Sequence, residues 1–375
     1  MKASESPVKQ IDRLVIKELI GPWLFGVAML ATLLMAATYL PRIADYIVQG
    51  LPPSLIFKIT FLLMPAILVK TFAMAVLVAG LLAFGRLSSD SEIVAIRASG
   101  ASLLRMVTPV MAFSLVIAIV TFICNDRLVP PAASESKALV TDIANHASGV
   151  SGEPVSEPIF DHGKLKGQIM AQAFDILQKT LNGVTVVVYN DQHLPTSFMY
   201  CNTLEYRGLN KWHVRGGAFV VPANGGRRMD FAEAWPPQVP ELSATPEDLL
   251  TINSGDPDSF SMGEAEKIIK RGKQNHSLKP ERIHDLEFGY WNKISVSCAA
   301  FIFGTLGAVL GIRNQRTGTA TGFAFAIAII FVYVMLTNFM NVWALNGVLP
   351  AWVASFTPVF IGALATLIIM WRKNN

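Results

Sequence analysis

The feature that most constrains this chain is the spacing of its apolar runs. Residues 19–40, 55–85, 106–124, 294–312, 323–343 and 352–371 are each apolar and long enough, at roughly 20 helical residues, to cross a hydrocarbon core of about 30 Å. Three runs precede one long polar segment and three follow it. A backbone in hydrocarbon must satisfy its own hydrogen bonds, so each run is predicted to be a helix. Composition agrees with a mixed architecture. At 52% hydrophobic the chain is too apolar for an ordinary soluble protein, and at 15% charged it is too polar to lie wholly in a membrane. The first run is too long for a cleavable signal peptide and Pro41-Arg42 is a poor cleavage site, so it is expected to remain as a span.

Lysine and arginine in the short segments give the orientation. Lys2, Lys9, Arg13 and Lys17 precede span one; Arg86, Arg97 and Arg105 lie between spans two and three; Arg313 and Arg316 lie between four and five; Arg372 and Lys373 end the chain. All four segments fall on one side of a six-span arrangement, whereas the opposite short loops carry only Arg42 and Lys58. The positive-inside rule therefore predicts both termini in the cytoplasm and the polar insert outside it. These anchors account for the net charge of +4, and no nucleic acid is needed to explain it. The expected division is 1–124 for a cytoplasmic lead-in and spans one to three, 125–288 for the exported insert with flanking helices, and 289–375 for spans four to six.

Residues 86–105, RLSSDSEIVAIRASGASLLR, form a polar island between spans two and three. Within it 91–98 reads as an amphipathic helix of about two turns, with Ser88 or Ser89 able to cap it and Gly100 placed to end it. A short amphipathic helix held at a membrane face suits docking on another protein, and a solvated loop is the alternative. Residues 11–18 form an amphipathic lead-in to span one, and Gly21-Pro22 can bend that span. Arg42, after Tyr39 and Pro41 at the outer end of span one, reads as a snorkelling anchor or as a contact for an anionic ligand. Lys70 lies deep in span two, where an unpaired ammonium is expensive. It is expected to face the protein interior or a wet cavity, unless that end of the span is raised enough for it to snorkel. Gly304, Gly307 and Gly311 along span four, with Gly318 and Gly322 opening span five, would allow close helix approach. Asn338 and Asn341 suit interhelical hydrogen bonds or the lining of a cavity.

After span three, 132–146 can continue as a helix. The pattern then changes to short β-prone runs at 167–174, 183–189, 198–206, 212–221 and 228–232, separated by turn residues, which predicts an antiparallel sandwich or roll. Ser261-Met262-Gly263-Glu264 is a capping box opening a helix to about Arg271, with Gly272 ending it. Three cysteines cannot build a disulfide framework, and Cys201 is the only thiol of the insert. The six histidines are scattered through the insert without metal-ligand spacing. No phosphate loop, no GxSxG elbow and no paired intramembrane carboxylates occur, so no cofactor is expected and the chain is not expected to hydrolyse nucleotide itself.

Several segments together resemble one family, the LptF/LptG-type permeases of lipopolysaccharide export, also called YjgP/YjgQ. They are the Asp12-Arg13-Leu14 lead-in, Ser91-Glu92-Ile93 with Ala98-Ser99-Gly100, residues 125–130, Glu287 with Trp291-Asn292-Lys293-Ile294, and residues 347–351. The resemblance implies an inner-membrane subunit of six transmembrane helices in a 3+3 arrangement with an inserted periplasmic β-jellyroll. It implies that residues 88–99 are a coupling helix docking on a cytoplasmic ABC ATPase dimer through Glu92, with Arg97, Ile93 and Ile96 beside it. It also implies lateral gates at spans one and five, and lipid contacts at Arg42, with Asp45 following it, and at Lys293; Lys70 is added as a candidate on the physical ground above. The implied partners are a second copy or paralogous permease subunit, a periplasmic jellyroll bridge protein, and lipopolysaccharide or a similar anionic glycolipid. The chain departs from the family at Ala73, where a second proline is usual in span two, and it carries features of both family branches. The competing functional reading is a mechanotransmitting ABC subunit that relays ATPase strokes without carrying lipid. A membrane-bound enzyme is disfavoured by the missing catalytic constellation.

Overall fold

A computed structural model describes residues 7–48, 52–100, 102–148, 153–161, 164–175, 178–192, 194–208, 211–223, 230–242, 257–275, 278, 280–312 and 319–374. The chain divides into two compact units, Met1–Ala133 with Glu287–Asn375, and Ser134–Leu286. Among the described residues six helices are long and apolar enough to cross a membrane: Asp12–Tyr39, Pro53–Ser89, Leu103–Ser136, Pro280–Gly311, Thr321–Leu345 and Ala351–Lys373. This is a helical membrane protein with an inserted sheet.

In the first unit, α1 (Pro7–Leu34) carries the lead-in and most of span one without a break at Pro22, so the expected bend is not needed to start the helix. Five residues of π-helix follow (Met35–Tyr39), then α2 (Leu40–Val48). The same sequence of events recurs in span three. There α5 (Leu103–Ile123) passes through the π turn Cys124–Leu128 into α6 (Val129–Ser148). Each π turn ends just before a proline, Pro41 or Pro130. Proline lacks an N–H and its ring collides with the carbonyl four residues back, and one extra residue in the turn relieves that collision.

Span two is α3 (Pro53–Ser89), whose 37 residues are about 55 Å long at 1.5 Å per residue. It starts with proline in the first turn, where the missing N–H costs nothing. Spans four, five and six are α8 (Pro280–Gly311), α9 (Thr319–Leu345) and α10 (Ala351–Asn374). The most apolar windows of spans two and four are 72% and 67% buried, against 17% and 11% for spans one and five, so α3 and α8 form the centre of the unit. Small residues bring these two backbones together, as the glycine spacing of span four predicts. A Cβ on Gly307 would stand 2.6 Å from the Leu77 carbonyl oxygen, one on Gly311 would stand 2.7 Å from Phe84 Cβ, and on the facing helix one on Gly80 would meet the Ala308 nitrogen at 2.8 Å. Gly80 carries no periodic signal and the sequence reading misses it. Gly322 has no such contact, its nearest neighbour being the Leu81 oxygen at 3.6 Å, and Gly318 lies outside the described residues. At the far end of α8, Lys373 from α10 donates to the carbonyls of Val309 (2.7 Å) and Ile312, completing the helix terminus with a cation where the macrodipole favours one.

Among the described residues the second unit holds one antiparallel sheet of six strands in chain order: β1 (Glu153–Asp161), β2 (Lys164–Asp175), β3 (Thr180–Tyr189), β4 (Pro195–Tyr206), β5 (Trp212–Pro222) and β6 (Asp230–Ala232). One cross-strand row, Ile169, Val186, Met199 and Val220, is buried. The next row, Met170, Thr185, Tyr200, Phe219 and Phe231, turns to the opposite face, as the two-residue period requires. Val239 and Leu242 cover the core row, and Trp235 packs beside them with its Nε1 donating to the Val239 oxygen at 3.0 Å. The β4–β5 register shifts between Cys201 and Thr203, opposite Gly216 and Gly217 at φ 84° and 86°, a bulge that glycine permits.

Further along, α7 (Met262–Asn275) opens with the expected capping box: Ser261 N–H donates to Glu264 Oε2 at 2.9 Å and Glu264 N–H to Ser261 Oγ at 3.3 Å. Gly272 does not end this helix. It lies inside it, where a Cβ would press to 2.5 Å on Leu278 Cδ1, so the glycine serves packing and not termination.

Candidate functional site

The polar island folds as α4 (Glu92–Ala98), seven residues between the ends of α3 and α5. Ser88 and Ser89 belong to α3 and do not cap it. The N-cap is Ser91 in the left-handed region at φ 62°, a conformation that turns the chain sharply out of α3. Gly100, at φ 92°, ends the helix as expected, its N–H donating to the Arg97 oxygen at 3.0 Å. The four residues singled out here separate into two roles. Glu92, Val94 and Arg97 are exposed, whereas Ile93 is buried and Ile96 half-buried against Val15, Leu19, Leu87, Leu103 and Met106. Ile93 therefore fixes the helix to its own bundle and is not available as a direct docking contact, which corrects the expectation for it, whereas Ile96 packs on the bundle and keeps part of its surface exposed.

Two ion pairs tie the ends of this element to the lead-in. Arg105, at the start of α5, reaches Asp12 at 2.7 Å, and Arg86, near the end of α3, reaches Glu18 at 3.2 Å. Arg86 also lies 3.8 Å from Asp90. Both acidic partners are on α1. The sequence reading counts these arginines as topology anchors and misses the pairing, because a charge on a lead-in helix gives no sign of its partner.

The membrane unit has a second notable surface. A cavity of about 810 Å³ lies between α1 and α9, walled chiefly by Phe25, Met29, Leu33, Phe323, Ile330 and Phe331. Its one hydroxyl, on Thr32, is turned back to the Ala28 oxygen at 2.8 Å. Such a surface offers contact to an alkyl chain or an apolar side chain and nothing to a polar ligand.

The three candidate cations are placed differently. Arg42 falls in α2, and its side chain, like that of Asp45, lies outside the described residues. Lys70 is exposed on α3 between buried Val69 and Thr71, so the interior of this subunit is corrected as its location and the exposed face of span two takes its place. Lys293 is only 1% exposed, and its Nζ donates to the Asn125 oxygen at 2.9 Å. An ammonium enclosed in this way is not presented to a lipid headgroup, which corrects the ligand role that the resemblance implies for it. The Asn341 Oδ1 is shut from solvent without a hydrogen-bond partner among the described residues. No cluster of three or more histidine, cysteine or acidic side chains suited to a metal ion occurs among the described residues.

No curated protein matches the chain. The family described as lipopolysaccharide export system permease LptF/LptG matches residues 13–372, from the lead-in helix to the last turn of span six. Both helical sets and the inserted sheet lie within that match, and the chain belongs to the LptF/LptG family of lipopolysaccharide export permeases.

Proposed function

We propose that this chain is the permease subunit of an ABC exporter that draws lipopolysaccharide, or a similar anionic glycolipid, from the outer leaflet of the inner membrane. The lipid then passes to the inserted sheet domain and on to a periplasmic bridge protein of the same kind. The family match over nearly the whole chain carries this reading. In it both termini and α4 face the cytoplasm, the sheet faces the periplasm, and a second copy or a paralogous subunit completes the membrane cavity. The apolar walls of α1 and α9 suit acyl chains, and Arg42 and Lys70 supply cations for phosphate groups.

A cytoplasmic ABC ATPase dimer docks on the Glu92–Arg97 face in this reading and hydrolyses ATP, while this chain performs no chemistry of its own. The outward charges of α4 receive the stroke, and Ile93 and Ile96 pass it to the bundle through packed contacts. Truncating one member of a charge pair that is desolvated in an interface costs about 2–5 kcal/mol, and each 1.4 kcal/mol is tenfold in affinity. Glu92→Lys is therefore expected to cut the ATPase that co-purifies with the subunit by about tenfold or more, at unchanged subunit yield. Full recovery of ATPase on Glu92→Lys would overturn the assignment of α4 as the coupling element.

A further inference from the structure

The buried lysine of α8 has a partner whose need is created by the helix register. In the π turn Cys124–Leu128 the Val129 N–H donates to the Cys124 oxygen, five residues back, and not to Asn125. The next residue able to serve the Asn125 carbonyl in π register is Pro130, which has no N–H. Both helical donors are thus lost at the Asn125 carbonyl. That carbonyl belongs to a residue only 7% exposed, where an unmet acceptor is costly. Lys293 Nζ fills the vacancy from the facing helix at 2.9 Å.

The same stretch of α8 is tied on its other side. Ser295 Oγ donates to the Ser355 oxygen of α10 at 2.5 Å, and Ser355 Oγ donates to the Phe288 oxygen of α8 at 3.3 Å. Span three, just before the chain leaves the membrane unit, and span four, just after it returns, are therefore fixed to each other and to span six.

We propose that Lys293 is a positioning residue that closes the carbonyl opened at Asn125 by the π turn and Pro130, locking spans three and four together at the root of the inserted domain. The proposal stands on hydrogen-bond geometry within one subunit and does not depend on what the transporter carries. Its test is rescue of a variant on one helix by a second variant on the other. In the full permease–ATPase complex in detergent, Lys293→Met removes the donor while keeping the length and apolar contacts of the side chain. It is expected to lower the thermal midpoint by several degrees.

With Pro130→Ala the Asn125 carbonyl regains a helical donor, the residue-130 N–H if the turn remains π and the Val129 N–H if it relaxes to α. Alone it is expected to leave the midpoint and the ATPase rate within error. Added to Lys293→Met, it is expected to recover most of the lost midpoint. If Lys293→Met does not accumulate, accumulation of the double variant is the same positive result. A double variant no better than Lys293→Met would overturn the proposal. So would a Lys293→Met protein of normal midpoint that has lost glycolipid binding, since Lys293 would then be a ligand contact.

Discussion

At the scale of single residues, Cys201 shows how the sheet sets chemistry. It sits on the core side of β4 in the register position after Met199 and Tyr200, and burial pushes its thiol up to about 12 from the usual 9.0. The neutral thiol is the form the fold accepts. A group whose pKa is raised on folding contributes its full stability below the unfolded value, and that contribution is lost as pH rises through the folded value. The sheet is thus expected to lose stability between about pH 9 and 12. A second consequence is kinetic, because only the thiolate reacts with alkylating agents. At pH 8 native Cys201 should be alkylated at least tenfold more slowly than in denaturant, read by mass spectrometry of the labelled protein; equal rates would contradict its burial.

The placement of side chains was legible in the sequence where charge and amphipathic spacing coincide, as at Glu92 and Arg97, which are exposed as the pattern requires. Ile93 and Ile96 were legible as one face of a helix, but a hydrophobic face looks the same whether it meets a partner or its own bundle. Lys293 was legible only as a cation at the mouth of a span. Its partner is a backbone carbonyl whose missing donors depend on helix register, and no side-chain pattern encodes that.

At the scale of elements, α4 is held at both roots from one helix. Asp12 and Glu18, less than two turns apart on α1, reach Arg105 and Arg86 on either side of it. Partly exposed pairs of this kind contribute about 0.2–1 kcal/mol each, so their effect is orientation more than stability. Replacing Asp12 by Asn or Arg105 by Gln is expected to lower ATPase retention about twofold to fivefold, with the double variant no worse than either single one. That non-additivity is the signature of a direct pair, and additive losses would show that the two charges act separately. The effect should shrink as salt is raised.

The six long helices were legible because apolar length has few alternative explanations. The strands β2 to β6 were legible from alternation and turn residues. β1 is not among the runs picked out in the sequence, since two prolines within Glu153–Asp161 weaken its strand pattern, although an edge strand tolerates the lost donors. The π turns were missed too: the prolines are visible in the sequence, and the register change ahead of them is not. Gly272 looked like a helix end because its packing partner, Leu278, lies beyond the helix.

At the scale of the whole molecule, the membrane unit has a tight centre, where α3 and α8 meet through glycines, and an apolar periphery at α1 and α9. A rigid centre with open outer helices suits a subunit whose outer helices meet lipid or a second subunit while its core relays motion. The measurement that bears most directly on the export reading is photo-crosslinking in living cells. Probes would be placed at Arg42, Lys70 and Phe331 in the membrane unit and at Tyr206 and Val214 in the sheet, and adducts blotted for glycolipid and for protein. The account predicts glycolipid adducts at positions in both units that diminish when ATP hydrolysis by the partner is blocked. Protein adducts alone, with no glycolipid at any position, would contradict it and leave a subunit that relays force without carrying lipid.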